Sequence, residues 1–202
     1  PATTGCPPLA WPRPGLGAVK LRGGAFPGPF QTRGNPGLPI PPETVYLTGI
    51  TQAMVGAAPT VGGVLPALLE FIGRDSVIVG HNVRFDVGFV KAACERFGHP
   101  PPTNPTVDTV GLARRLLREE VPDVKLGTLA AHLRLAHRPS HRALDDAWAT
   151  VDLLHASLER AGSLGVGHLD DLLELPTLAG HPDGQKLRWV AALPRSPGVY
   201  LF

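Results

Sequence analysis

The apolar positions of this chain change their spacing along its length, and each change predicts an element. Gly17 to Gly24 (GAVKLRGG) reads as a short strand and turn, with Phe30 to Thr32 as its antiparallel partner across a Gly-Pro-rich stretch. The run Pro39-Ile40-Pro41-Pro42 reads as extended loop, because each proline disfavours helical backbone in the residue before it. After Thr51 the spacing becomes helical. Val64, Leu65, Leu68, Leu69 and Ile72 share a stripe that Gly73 closes. Ser76 to Gly80 (SVIVG) has the continuous β-branched character of a strand buried on both faces. A helix then runs to about Phe97 and stops at Gly98, and another is expected from Val107-Asp108-Thr109 through Leu117. Leu126 to Leu133 gives a short helix. Ala143 to Ala161 gives the longest, with Leu144, Ala147, Trp148, Val151, Leu154 and Leu158 on its apolar side. A further short helix is expected at Leu169–Leu175. Strands followed by a strand set between helices predict an α/β fold with a mixed β-sheet flanked by helices.

Composition narrows this picture. Many of the 23 prolines and 24 glycines crowd into residues 1–42, with further loops at 98–105 and 176–198, which leaves about 43–160 for the ordered fold. Residues 1–42 hold no Asp or Glu, and residues 6–16 carry four prolines, so 6–16 is expected to be irregular. A net charge of +2 is too small to argue for nucleic acid by itself, and the basic residues are dispersed. Any such activity must come from a site. Two cysteines, Cys6 and Cys94, cannot form a zinc cluster, and they fit a reduced, cytoplasmic setting. No apolar run reaches the roughly 18 residues that suggest a membrane span, and no signal peptide opens the chain.

Three places carry candidate chemistry. The SVIVG strand runs into His81-Asn82-Val83-Arg84-Phe85-Asp86, and ligand sites of α/β sheets gather beyond the carboxyl ends of strands. Asp86 in the first helical turn fits such a site, and it equally fits a carboxylate that favours a helix N-terminus. Asp108 precedes a helix start and reads first as a cap, secondarily as part of an acidic pocket. Ser140-His141-Arg142-Ala143-Leu144-Asp145-Asp146 opens the longest helix with Ser140 as its expected N-cap. Helical geometry does not choose between Asp145 and Asp146.

Taken together, HN-x-x-FD after a strand, then DT-x-x-LAR, then H-x-A-x-x-DA on a late helix form a specific ordered set. It resembles the second and third motifs of the DnaQ-like DEDDh exonucleases, the group of the proofreading epsilon subunit of DNA polymerase III, over about residues 17–160. The resemblance implies a ribonuclease H-like mixed β-sheet flanked by helices and hydrolysis of 3′-terminal phosphodiesters of DNA. It implies two Mg²⁺ or Mn²⁺ ions about 3.5–4 Å apart, held by hard carboxylate oxygens. Four residues separate His and Asp in the family, which selects Asp146. By the same resemblance Asp86 and Asp146 bind metal and His141 is the general base, as a group titrating near neutrality can be. Asn82, Phe85, Leu47, Thr48 and Thr3 would then line the nucleotide pocket, the last three through Leu47-Thr48-Gly49-Ile50-Thr51 and Thr3-Thr4-Gly5.

The family's first motif, D-x-E-T-T-G, is met only in its tail. Ala2 stands at the Glu position and the Asp would precede Pro1, so impaired activity is expected. Leu193-Pro194-Arg195-Ser196-Pro197-Gly198-Val199-Tyr200-Leu201-Phe202 resembles the opening of the GIY-YIG nuclease domain of UvrC. The expected organisation is an exonuclease domain at 1–162, a linker at 163–192 and the start of a truncated second domain at 193–202. Single-stranded 3′ ends of DNA are the expected partner, in repair or proofreading, beside repair or replication proteins and with no membrane. An inactive nucleic-acid-binding module of a UvrC-like endonuclease is the rival reading, and an RNA-trimming relative is another, since contacts to the 2′-hydroxyl decide the sugar.

Overall fold

The structure, a computed structural model, describes residues 15–23, 25–35, 39–40 and 42–177. It opens with β1 (Gly15–Arg22) and β2 (Ala25–Arg33), an antiparallel ribbon in which Ala18 faces Phe30 and a register shift falls between Lys20 and Arg22. Pro27 and Pro29 cannot donate to a ladder, which suits β2 to an edge position. Three helices follow: α1 (Pro42–Thr48), α2 (Gln52–Gly56) and α3 (Val61–Ile72). Next come β3 (Ile78–Gly80), α4 (Val83–Phe97) and β4 (Thr106–Asp108), with β3 and β4 parallel and α4 as their crossover. Helices α5 (Thr109–Leu116), α6 (Leu126–His132), α7 (Ala143–Ser163) and α8 (Leu169–Glu174) complete the order, with a 3-10 turn at Leu175–Thr177.

The architecture is mixed α/β, and both senses of strand pairing are present, as expected. Among the described residues, hydrogen bonds divide the strands into two pairs, β1–β2 and β3–β4. Four local expectations need correction. The SVIVG strand shortens to Ile78–Gly80 and is only half-buried. The Ser76 hydroxyl donates to the Ile72 carbonyl at 2.7 Å and the Ser76 carbonyl accepts from the Asn104 amide at 2.8 Å, which ties that residue back to α3. Val107 and Asp108 belong to a strand and not to the helix after it; three residues are too few to show a period. Pro42 opens α1 instead of extending a loop, since a proline at the first helical position loses no hydrogen bond there. Gly15 and Leu16 are strand residues in β1, against the irregular 6–16 expected; residues 6–14 lie outside the described set.

The core is continuous with these elements. Leu65, Leu68, Val90, Ala93 and Cys94 pack α3 on α4, with Leu16 and Phe30 of the ribbon against them. Ala113, Leu117, Leu129 and Leu153 join α5, α6 and α7. The buried face of α7 is Ala149, Leu153, Ser157 and Ala161 rather than the expected row of larger residues, and Leu158 is 40% exposed. The small residues Ala149, Ser157 and Ala161 in this row let α7 lie close to its neighbours, and the Ser157 hydroxyl is satisfied by the Leu153 carbonyl at 2.7 Å. Truncating a fully buried leucine such as Leu153 to alanine costs about 2–5 kcal/mol. Leu172 and Leu175, within the stretch read as linker, are buried beside Val107, Leu112 and Ala161. Residues 193–202 and the motif read there lie outside the described set.

Candidate active site

Two corners of the fold carry the predicted residues. The first is the passage from β3 into α4. Gly80 ends β3 so close to α4 that an added Cβ would lie 3.1 Å from Val83. Asn82 then takes a left-handed backbone, φ 71° and ψ 49°, as the residue that starts α4. Asparagine is among the few non-glycine residues that tolerate this conformation. The Asn82 N–H donates to Asp108 Oδ1 at 2.9 Å, and the Val110 N–H donates to the same oxygen at 2.9 Å. Asp108 thus caps α5, as its position predicted, and pins the start of α4 with the same oxygen. Asn82, Phe85 and Asp86 stand beyond this clasp on exposed surface, Phe85 at 53% exposure.

His81 supports that corner from beneath, a part that no candidate list drawn from the sequence included. Its Nε2 lies 2.9 Å from the Val124 carbonyl and its Nδ1 lies 2.9 Å from Thr109 Oγ1. With Nε2–H donating to the carbonyl, the neutral ring accepts the Thr109 hydroxyl proton at Nδ1. Burial holds the imidazole pKa below its ordinary value, against the Val124 hydrogen bond and the nearby Asp108 charge, which raise it. The only signal in the sequence was its place inside HN-x-x-FD.

The second corner is the entry to α7. His141 is exposed and left-handed, with φ 62°. The Ser140 and His141 N–H groups each donate to Asp146 Oδ1 at 3.2 Å. The Ser140 hydroxyl bonds Asp145 Oδ2. Ser140 is therefore not the N-cap expected of it; Arg142 occupies that position without a side-chain cap bond, and the loop is held from within the helix by two carboxylates. Asp145 and Asp146 are both half-buried, so placement leaves the choice between them where helical geometry left it. Beneath them β1 is in intimate contact with the helix. A Cβ on Gly17 would lie 2.5 Å from the Leu144 nitrogen and 2.6 Å from the Ala143 carbonyl carbon.

Leu47 and Thr48 end α1, with side chains outside the described set, and Thr3 lies outside it altogether. The carboxylates of Asp86 and Asp146 have the hard oxygen chemistry that Mg²⁺ and Mn²⁺ prefer. Yet among the described residues no three His, Cys, Asp or Glu side chains gather closely enough to hold a metal ion. One carboxylate nearby, Asp108, is already engaged with two backbone N–H groups. These residues alone do not make a complete metal centre. No helix among the described residues is long and apolar enough to cross a membrane.

Several known proteins are similar to this chain. A Mycobacterium tuberculosis protein described as a bifunctional exonuclease/endonuclease is 50% identical over 191 residues, which is 93% of this chain and 29% of that protein. A PolC-type DNA polymerase III of Clostridium perfringens is 43% identical over 145 residues, 72% of this chain and 10% of the polymerase. The chain therefore spans under a third of either relative. Among solved structures, exonuclease X in complex with 5′-overhanging duplex DNA superposes with a TM-score of 0.61 at 24% identity, covering 81% of this chain and 90% of that one. That likeness shows the ribonuclease H-like exonuclease fold. The family model described as Exonuclease matches residues 14–154, which take in both corners, and the chain belongs to that exonuclease family.

Proposed function

We propose that the chain acts on DNA as a 3′–5′ exonuclease, hydrolysing terminal phosphodiesters in repair or proofreading, with Mg²⁺ or Mn²⁺ as the metal. The observation that carries the reading is the family match over residues 14–154, which includes both HN-x-x-FD and the His141–Asp146 unit. In it His141 accepts the proton of the attacking water. Asp146 has two tasks, since the carboxylate that would help to hold a metal also accepts the His141 and Ser140 N–H groups at Oδ1. Asp86 adds the second negative charge, and Asn82 and Phe85 offer a polar group and an open ring to the terminal nucleotide. Leu47, Thr48 and Thr3 complete the proposed pocket. Binding of the ions needs more carboxylate than Asp86 and Asp146 supply, and Ala2 stands where the resemblance wants a Glu.

The same shortage favours a second reading, an inactive nucleic-acid-binding module within a longer repair endonuclease. The endonuclease in the name of the M. tuberculosis relative and the GIY-YIG-like run at 193–202 support the longer endonuclease, whereas the exonuclease in that name favours the first reading. One assay separates the two. The 202-residue chain and a version given an Asp-x-Glu first motif are incubated with a 5′-labelled single strand and Mg²⁺ or Mn²⁺. Stepwise shortening from the 3′ end by the restored chain supports the exonuclease; DNA binding without cleavage by both supports the inactive module.

A further inference from the structure

Residues 134–142 (RLAHRPSHR), between α6 and α7, contain Arg134, His137, Arg138, His141 and Arg142 and no acidic residue. Arg134, His137, Arg138, His141 and Arg142 are all exposed. Among the described residues, none of the three guanidinium groups meets a carboxylate. Asp145, Asp146 and Asp152 reach the segment through Ser140, His141 and His137 rather than through its guanidinium groups, and exposed arginines without a carboxylate partner attract an anion.

A second feature adjoins them. Trp148 of α7 touches Phe26 of the ribbon at 4.7 Å between ring centroids, tilted by 54°. It also touches His137, at 5.2 Å and 20° between planes. His137 is fixed in turn, since its backbone N–H and Nδ1 both lie within 3.0 Å of Asp152 Oδ2. The two outer members of this trio remain open: Phe26 is 44% exposed and the His137 side chain 48%. Cations interleaved with open rings are what a single strand requires, phosphates on the arginines and bases on the rings. Three residues lie between His137 and His141, so about 14 Å at most separates their Cα atoms. Roughly four stacked nucleotides cover that distance.

We propose that segment 134–142 and the Phe26–Trp148–His137 rings form the track on which single-stranded DNA approaches the His141–Asp146 corner. Arg134, Arg138 and Arg142 bind successive phosphates, while Phe26 and His137 stack on bases upstream of the 3′ end. This rests on the exonuclease reading only in setting that end at His141.

The test uses the 202-residue chain and fluorescein-labelled oligo(dT) in EDTA, with anisotropy followed across a salt series. Because no metal is present and no cleavage is read, its outcome is independent of whether the chain is an active nuclease. Arg134→Gln, Arg138→Gln and Arg142→Gln together should flatten the dependence of log affinity on log salt by roughly two, at about 0.7 per lost phosphate contact. Adding Phe26→Leu, which keeps apolar bulk against Trp148, should cost about fivefold more. The Arg134→Gln and Arg138→Gln pair, on exposed positions of the loop, serves if the larger variant loses its melting transition. Unchanged affinity and slope in a folded variant would overturn the track, as would a melting temperature that falls with Phe26→Leu while oligo(dT) binding stays put. Tighter binding of oligo(rU) than of oligo(dT) would overturn the assignment to DNA.

Discussion

The two corners of the site are built in opposite ways. At the β3–α4 corner the supports are short and partly buried: Thr109 is 0% exposed, His81, Val124 and Asp108 are half-buried, and these residues and Asn82 are held by contacts of 2.9 Å. At the α7 corner His141 is exposed and hangs from one Asp146 oxygen by bonds of 3.2 Å. Hydrogen bonds in a low-dielectric interior are stronger, and leaving one unmade there is more costly. The first corner is a fixed platform for Asn82, Phe85 and Asp86. The second holds His141, the proposed base, through the very carboxylate proposed to bind metal, so that charge brought to Asp146 acts directly on the loop that presents His141.

This contrast is broken most severely by chemistry at the exposed corner. In a chain with a restored first motif, His141→Ala should lower the cleavage rate by about 10²–10⁴-fold, the range for loss of a general base. Its melting temperature should stay put, because an exposed ring supports no packing. Asp146→Asn should lower the rate at least as much. A large fall in melting temperature for His141→Ala would give that residue a structural part instead.

Gly17→Ala comes next. The new Cβ has backbone, not flexible side chain, 2.5 Å away, and backbone cannot yield cheaply. About 1–3 kcal/mol of stability should be lost, and the rate of the restored enzyme should fall with it, since the displaced turn carries Asp146. Denaturant melts beside single-turnover rates read both.

The buried corner is sharpened by pH. Burial depresses the His81 pKa in the folded protein, so the unfolded chain binds more protons around and below the ordinary imidazole value near 6.5. The contribution of His81 is then whole above that value and lost as pH falls through the folded pKa. Replacing it by His81→Gln should cost about 1–3 kcal/mol at pH 8, through imperfect partners for Thr109 and Val124. The same variant should flatten the decline in stability on acidification. A decline of unchanged steepness would assign it to another group. The smallest effect is expected of Asp145→Asn, which retains an oxygen to accept from Ser140 and should change stability by no more than about 0.5 kcal/mol. If that variant silenced the restored enzyme and Asp146→Asn spared it, the four-residue spacing would have selected the wrong acid.

Long periodic segments were legible from apolar spacing alone. The stripe ending at Gly73, the helix ending at Gly98 and the ribbon pairing Ala18 with Phe30 are all where apolar spacing and glycine placed them. The motif residues on α4 and α7 were legible too, since each sits in the first turn after a break in the pattern. β4 was not, for three residues have no measurable period, and its identity depends on Ile78, Val79 and Gly80 lying alongside. Nor was the buried face of α7, because an alanine or serine counts as apolar surface only once a neighbour has come close enough to exclude water.

Periodicity and motif spacing are properties of neighbours along the chain, so the order of the elements and of the candidate side chains could be read without the fold. Only tertiary structure decided how they are held. That His81 bridges Thr109 and Val124, that Asp108 clasps Asn82, and that Gly17 must lack a side chain because α7 begins against it are contacts between residues 28, 43, 26 and more than 100 positions apart. Local preference has no range over such separations; burial and close packing set them.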